Sequence, residues 1–203
     1  MDIYLVRHGQ TDGNVAKRHQ HPHIELNEIG KEQVKHTARL LKRIKATHLI
    51  TSTNKRAVET ARTIAAEVDL IPETHPAFEE LRRPEFLIGK RFMDKDTLYY
   101  VWGWFFGLKA ASMHDGESYQ DFLHRITVAR KHLEAQPKRA RVIVVSHAVF
   151  INFFIAHMVK PERMGIRRAA LCLFSILTIR NAGIIHLRFE PDRTPSWRII
   201  ERH

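Results

Sequence analysis

The stretch that decides the fold is IYLVRHGQT, residues 3–11, in which an apolar run ends abruptly in polar residues. Ile3 to Val6 is short, apolar and rich in residues that favour strands, which predicts a buried β-strand. His8 and the residues beside it follow directly and should emerge at the carboxyl end of that strand. Because open α/β sheets bind ligands at this edge, the stretch predicts both a sheet and the place of a site.

Farther along the chain, apolar runs alternate with helical patterns. The run VIVV at 142–145, within the predicted strand Arg141 to Ser146, is typical of a strand buried on both faces. His48 to Thr51, the run Leu171 to Ile179, Ile184 to Phe189 and Trp197 to Ile200 are further predicted strands. This alternation predicts an α/β fold with three layers, α/β/α, around a mostly parallel central sheet.

Three long helices are predicted between these strands. They run from about Glu28 to Ile44, from Lys55 to Val68, and from a capping Ser118 to Ala135. Helical periodicity selects the residues of the first two that should face inward. These are Ile29, Val34, Ala38, Leu41, Ile44, Val58, Ala61, Thr63, Ala65 and Val68.

Length and composition limit the possible architectures. With 203 residues and 44% hydrophobic content, the chain can close one core, so we expect a single domain over residues 1–203. The single cysteine, Cys172, lies in an apolar run and excludes a disulfide framework. The amino terminus lacks the pattern of a signal peptide, and the longest apolar stretches are shorter than the ~20 residues of a membrane span. We therefore expect a cytoplasmic protein with no membrane span.

The formal net charge of +11 favours a negatively charged partner. The basic residues are scattered as pairs such as Lys42-Arg43 and Arg82-Arg83, and no nucleic-acid-binding motif accompanies them. We therefore expect no nucleic acid, and the charge alone leaves a small phosphorylated substrate and an acidic membrane surface as the remaining partners.

Polar residues follow two further predicted strands. Arg56 lies just past the strand that ends at Thr51, and His147 follows the strand that ends at Ser146. If these strands lie side by side, His8, Arg56 and His147 should face one pocket. Phosphoryl transfer needs a positioned nucleophile and cationic donors around the phosphate oxygens. Arg7 and Arg56 can supply planar, bidentate donors of that kind.

Several short motifs occur in a characteristic order and spacing. They are RHGQT at 7–11 with Asn14, LNEIG at 26–30, STNKRA at 52–57 with ETA at 59–61, GES at 116–118 with Arg125, and VSH at 145–147. Over most of its length the chain therefore resembles the histidine phosphatase superfamily, the group that includes cofactor-dependent phosphoglycerate mutases.

This resemblance implies roles for individual residues. His8 would be phosphorylated during the reaction, and neither a metal nor a cofactor would be needed. The phosphate pocket would be completed by Arg7, Arg56 and His147, with Asn14 and backbone amides near Gly9 as further donors. The two arginines would disfavour protonated His8 and so keep a lone pair available for attack on phosphorus.

The resemblance also implies a glutamate as proton donor, and the chain offers Glu79, Glu80 and Glu85. Glu80 is preferred because ELRRP at 80–84 resembles the form seen in many phosphatase members. Alignment on Gly89 would select Glu85 instead.

Two other segments invite interpretation. Residues 90–115 are expected to form a small helical insertion, and the aromatic run at 98–108 could roof the active site, pack onto the sheet or a second subunit of a homodimer, or contact a membrane surface. His19, His21 and His23 alternate in a way that could ligate a metal, although a solvated or substrate-facing loop is favoured.

Three functions are consistent with this sequence. The first is a metal-independent phosphatase that hydrolyses small phosphomonoesters, and it is preferred because the chain is short. The second is a mutase of the phosphoglycerate mutase type, which would return the phosphoryl group to the substrate. The third is a noncatalytic phosphoprotein-binding or nucleic-acid-binding module on the same fold.

Overall fold

A six-stranded mixed sheet forms the centre of the computed structural model, which describes residues 1–105, 115–159 and 179–202. Its strands are β1 (Asp2–Arg7), β2 (His48–Thr51), β3 (Glu73–Thr74), β4 (Arg141–Ser146), β5 (Ile184–Phe189) and β6 (Trp197–Arg202), in the order β3-β2-β4-β1-β5-β6. Neighbours from β3 to β1 pair in parallel, whereas β5 pairs antiparallel with β1 and β6 with β5. The predicted mostly parallel sheet is confirmed.

Helices cover both faces of the sheet. Those described are α1 (Asp12–Val15), α2 (Glu28–Lys42), α3 (Lys55–Val68), α4 (Lys95–Phe105), α5 (Tyr119–Glu134) and α6 (Ala148–Val159), with short 3-10 turns at 76–78 and 85–87. On one face, Val6 of β1 packs in a cluster with residues of α2 and α3. On the other face, Leu5 belongs to a cluster that includes residues of α4, α5 and α6. This alternation of side chains along β1 produces the predicted three layers.

The sheet register brings the carboxyl ends of three parallel strands to one level. β1 pairs with β4 so that Arg7 lies opposite Ser146, and β2 pairs with β4 so that Thr51 lies opposite Val145. Backbone hydrogen bonding continues one residue further, because the His8 N–H donates to the Ser146 carbonyl and the Ser52 N–H to the Val145 carbonyl, both at 3.0 Å. The residues that follow each strand therefore meet at one edge.

The predicted helices exist, but some of the predicted inward positions are wrong. Ile29 is 60% exposed, because it stands in the first turn of α2 beside the buried Gly30. In α3 the buried residues are Arg56, Ala57, Thr60, Ala61 and Ile64, so only Ala61 of the predicted set is fully buried. The helix is turned so that Arg56 in its first turn reaches the ends of the strands. Apolar periodicity alone could not reveal that rotation.

The predicted insertion contains α4, which buries one face. Thr97, Tyr100 and Trp104 face inward, while Leu98 and Tyr99 are exposed. The remainder of the aromatic run, from residue 106, lies outside the described residues. The predicted strand over 171–178 and the environment of Cys172 also lie there. Within the described ranges, none of the helices combines the length and the hydropathy that crossing a membrane would need.

Candidate active site

His8, Arg56 and His147 meet at the strand ends, as the sequence predicts. The rings of His8 and His147 lie with their centroids 5.1 Å apart, and the Arg56 Nε–H donates to Nε2 of His8 across 3.2 Å. All three side chains are buried. Because they come from β1, α3 and β4–α6, it is the parallel register of the sheet that assembles the pocket.

The tautomer of His8 follows from its two hydrogen-bond partners. Nδ1 lies 2.7 Å from the carbonyl oxygen of Gly9, and this oxygen can only accept. Nε2 faces the Nε–H of Arg56, which can only donate. A neutral imidazole with its proton on Nδ1 satisfies both contacts, so Nε2 carries the in-plane lone pair that accepts from Arg56.

Electrostatics keeps His8 neutral. Burial is the largest cause that lowers its pKa well below the ordinary 6.5, and the positive charges of Arg56 and Arg7 add to the effect. Burial also lowers the pKa of Arg56 to about 10, which leaves the guanidinium charged at neutral pH. Arg7 is half-buried, and its Nη1 donates to the carbonyl of Ile179 at 2.5 Å. The pocket thus holds two cations beside an uncharged imidazole.

Asn14 lies in α1 and Gly9 in the loop before it, and both are already bonded within the protein. The Asn14 Oδ1 accepts from the Thr11 N–H at 3.2 Å and from Asn181 Nδ2 at 2.9 Å, so its own amide N–H groups are the part of the side chain suited to an anion. The Gly9 N–H donates to Thr60 Oγ1 at 3.2 Å. A phosphate-binding role for Gly9 therefore stays a prediction.

Gly9 is instead needed for contact with α2. A Cβ atom at this position would lie 2.6 Å from the Gly30 carbonyl oxygen, and a Cβ at Gly30 would overlap the backbone of Gln10. The loop that follows His8 and the first turn of α2 therefore touch backbone to backbone. This contact ties the loop that follows His8 to α2.

His147 is held by Ser52. Its Nε2 lies 2.8 Å from Ser52 Oγ, which also accepts from the Asn54 N–H at 3.2 Å. If Ser52 donates its single proton to Nε2, its own hydrogen-bonding groups are satisfied and the Nδ1 of His147 carries a proton. Within the described residues this Nδ1 has no hydrogen-bond partner. It is therefore a candidate donor to a phosphate oxygen.

Of the three glutamates, Glu80 is the one whose hydrogen bonds place it next to His147. Its carboxylate accepts from the backbone N–H groups of Leu81, Phe150 and Val149 at 2.9, 3.1 and 3.2 Å, so it sits over the first turn of α6 beside His147. When ionised, this carboxyl group attracts the positive charges of Arg7 and Arg56.

The other two glutamates are directed elsewhere. Glu85 is exposed, and its backbone N–H donates to the Asp115 carboxylate at 2.8 Å. Glu79 accepts from the hydroxyl of Thr53 and pairs with Arg82 at 3.6 Å. The placement of the three carboxylates thus favours Glu80, the residue preferred from sequence.

The alternating histidines are divided between two environments. His19 is buried, and its Nε2 lies 3.0 Å from the hydroxyl of Thr97 on α4. His21 and His23 lie on the surface with their rings 4.8 Å apart, and the carbonyl of His21 accepts from Arg56 at 3.3 Å. His21 therefore supports the pocket through its backbone.

Ser52, Thr60 and Asn181 also bond residues of the site, and the sequence predicts no role for them. Ser52 and Thr60 lie within motifs that were recognised, so their place in those motifs was the available signal. Asn181 bonds both the His8 carbonyl, at 3.2 Å, and Asn14, yet no motif of the sequence marks it.

Known proteins resemble this chain over most of its length. It is 27% identical over 193 residues to the probable phosphoglycerate mutase GpmB of Proteus mirabilis, covering 94% of this chain and 86% of that protein. It is 31% identical over 167 residues to phosphoglycerate mutase-like protein 4 of Arabidopsis thaliana, covering 74% of this chain and 68% of that protein.

Among solved structures, the fold is similar to two phosphatases. The alpha-ribazole phosphatase of Shigella flexneri has a TM-score of 0.78 at 21% identity, with 100% of this chain and 96% of that chain covered. A mycobacterial glucosyl-3-phosphoglycerate phosphatase in complex with VO3 has a TM-score of 0.77 at 22% identity, with 98% and 97% covered. At these identities the likeness concerns the fold.

The family model of the histidine phosphatase superfamily (branch 1) matches residues 3–196, a range that contains every residue of the pocket. The chain therefore belongs to the histidine phosphatase superfamily.

Proposed function

We propose that this protein is a metal-independent phosphatase that hydrolyses small phosphomonoesters through a phosphohistidine on His8. The observation that carries the proposal is the fixed tautomer of His8, whose Nε2 lone pair lies beside Arg56 while Nδ1 is held by the Gly9 carbonyl. A neutral, oriented imidazole flanked by two arginines is what nucleophilic attack on a phosphate dianion requires.

In the first step, Nε2 of His8 attacks phosphorus. The N–P bond forms as the bond between phosphorus and the leaving oxygen breaks, and the electron pair of that bond goes to the leaving oxygen. Protonated Glu80 gives its proton to this oxygen, which departs as an alcohol. Arg7, Arg56 and His147 stabilise the charge on the transferring group.

In the second step, water attacks the phosphohistidine. Glu80, now a carboxylate, takes a proton from the water as its oxygen bonds to phosphorus, and the N–P bond breaks. The electron pair of that bond returns to Nε2 of His8, and inorganic phosphate leaves. Glu80 therefore ends the cycle protonated, as it began it.

A mutase is the second candidate, favoured by the names of the relatives from Proteus mirabilis and Arabidopsis thaliana. A mutase would pass the phosphoryl group from His8 back to a substrate hydroxyl and would need priming by a bisphosphate. In the proposed phosphatase the partner is a small phosphorylated molecule, and transfer to water needs no second substrate.

The test is phosphate release from para-nitrophenyl phosphate and a panel of small phosphomonoesters in the presence of a chelator. Wild type, His8→Ala and the exposed control His36→Ala are compared. Turnover by wild type and the control, but not by His8→Ala, is the expected result. Turnover that survives in His8→Ala excludes the phosphohistidine, and activity that appears only after priming by a bisphosphate identifies a mutase.

A further inference from the structure

Arg125 on α5 is buried, and every N–H group of its guanidinium donates a hydrogen bond. Two of these bonds form a bidentate pair with the buried carboxylate of Glu117, from Nε to Oε1 at 2.7 Å and from Nη2 to Oε2 at 2.6 Å. A planar guanidinium can make this fork, whereas a lysine ammonium cannot. The ion pair therefore fixes the plane in which the remaining donors of Arg125 lie.

The remaining hydrogen bonds of Arg125 go to the backbone of the loop that carries Glu80. They are donated to the carbonyl oxygens of Ala77 at 3.2 Å, Glu79 at 2.7 Å and Glu80 at 3.2 Å. The carbonyl of Phe78 accepts from Ser146 Oγ at 2.7 Å. Four consecutive carbonyls are thus held by two side chains, and one of them belongs to Glu80 itself.

Glu117 holds the same loop on the far side of Glu80. Its backbone N–H donates to the Arg82 carbonyl at 2.8 Å, and its carboxylate accepts from the Arg82 N–H at 3.3 Å. Its carbonyl accepts from the indole N–H of Trp104 on α4 at 2.8 Å. The loop is therefore fixed before and after Glu80 by one ion pair.

We propose that Arg125, oriented by Glu117, is a positioning residue that aims the carboxyl group of Glu80 at the leaving oxygen of the substrate. This inference rests on the proposed phosphatase function and on the role given there to Glu80. Arg125 touches neither the phosphate pocket nor Glu80's carboxylate; it acts through the backbone of Glu80. Catalysis by a general acid depends steeply on position, so a small shift of this loop should impair proton transfer selectively.

The experiment uses the dependence of kcat/KM on the leaving group, since kcat/KM reports the step in which the leaving oxygen departs. Para-nitrophenyl phosphate has a good leaving group that needs little protonation, whereas β-glycerophosphate has a poor one that needs it. The variants are Arg125→Lys, which keeps a cation beside Glu117, and the double variant Glu117→Gln/Arg125→Met, which removes both buried charges. Arg130→Met on the same helix is the control.

We expect Arg125→Lys and the double variant to lose about tenfold or more in kcat/KM on β-glycerophosphate, and less than about threefold on para-nitrophenyl phosphate. Arg130→Met should change neither value. In a Glu80→Gln background, Arg125→Lys should add no further selective loss, because the proton it positions is already absent. If the double variant does not fold, as thermal unfolding would show, the comparison stands on Arg125→Lys alone.

Equal losses on both substrates, or no loss, would overturn the proposal and leave Arg125 with a purely structural role. A selective loss that persists in the Glu80→Gln background would also overturn it. These outcomes differ from failure of the proposed function, in which wild type itself releases no phosphate or His8→Ala remains active.

Discussion

Ser52 Oγ lies 2.8 Å from Nε2 of His147, and both side chains are completely buried. The contact joins the residue after β2 to the residue after β4, so two neighbouring strands together set the direction of one imidazole. With Ser52 as donor, the Nδ1–H of His147 becomes available to a phosphate oxygen.

Replacing Ser52 by alanine should therefore weaken binding of the transferring phosphoryl group. We expect a loss of about 1–3 kcal/mol of transition-state stabilisation, the range for a buried polar group left unsatisfied, which corresponds to about 5-fold to 150-fold in kcat/KM. Thr53→Ala is the control, because Thr53 is exposed and bonds Glu79 instead. Equal kinetics for Ser52→Ala and wild type would remove Ser52 from the site.

Glu80→Gln and Glu85→Gln should separate the two candidate proton donors. Glutamine keeps the size of the side chain but cannot give up a proton, so Glu80→Gln should lose about 100-fold in kcat/KM on alkyl phosphates and much less on aryl phosphates. The exposed Glu85 should tolerate the change. The opposite ranking, measured on the same pair of substrates, would assign the proton to Glu85.

The activity of the wild type should persist into acid. Because burial and the two arginines lower the pKa of His8 well below 6.5, protonation should remove the nucleophile only at a pH well below that value. In Arg56→Met one of these charges is gone, so the pKa of His8 should rise and the acid limb of the kcat/KM profile should move to higher pH. An unmoved limb in this variant would show that another group sets it.

Gly30→Ala should destabilise the protein although alanine is the better helix former. Helix propensity alone would stabilise the variant by up to about 1 kcal/mol. A Cβ atom at Gly30 would instead overlap the backbone carbonyl of Gln10 and push the catalytic loop away from α2. We expect a lower midpoint of urea denaturation together with a lower kcat. A more stable and fully active variant would contradict this.

Acid should destabilise the fold through His19. Burial, with a contribution from Arg83, lowers the pKa of His19 from 6.5 to about 3. Between these values the unfolded chain binds a proton that the folded chain does not, so stability falls as the pH falls, by about 1.4 kcal/mol per pH unit at most. His19→Gln should flatten the dependence of unfolding free energy on pH between pH 7 and about 4, whereas the exposed His36→Gln should not.

The strands and long helices could be predicted because each carries a local pattern. VIVV at 142–145 has the continuous β-branched pattern of a buried strand, and it lies within β4. The helix α6 was not predicted, because a run that is apolar on all sides, such as 148–155, has no periodicity to distinguish a helix from a strand. The two residues of β3 are too few to leave a pattern.

The residues of the candidate site could be predicted from the sequence, but their hydrogen bonds could not. His8, Arg56 and His147 each follow a strand, which is a local signal, and the parallel sheet brings them together. The proton on Nδ1 of His8, the turn of α3 that buries Arg56, and the contact of Asn181 with Asn14 depend on residues distant in sequence. No single stretch of the chain contains that information.

The bond from Arg56 to Nε2 of His8 has a consequence for chemical selectivity. The His8 lone pair that would attack phosphorus in the proposed reaction accepts the Nε–H of Arg56 in this structure. A phosphate that drew Arg56 to its own oxygens would also uncover the imidazole. Neutral electrophiles, such as aldehydes or acylating agents, have no anionic oxygens that would attract the guanidinium. With them, Nε2 of His8 would stay hydrogen-bonded to Arg56 and would be a poor nucleophile.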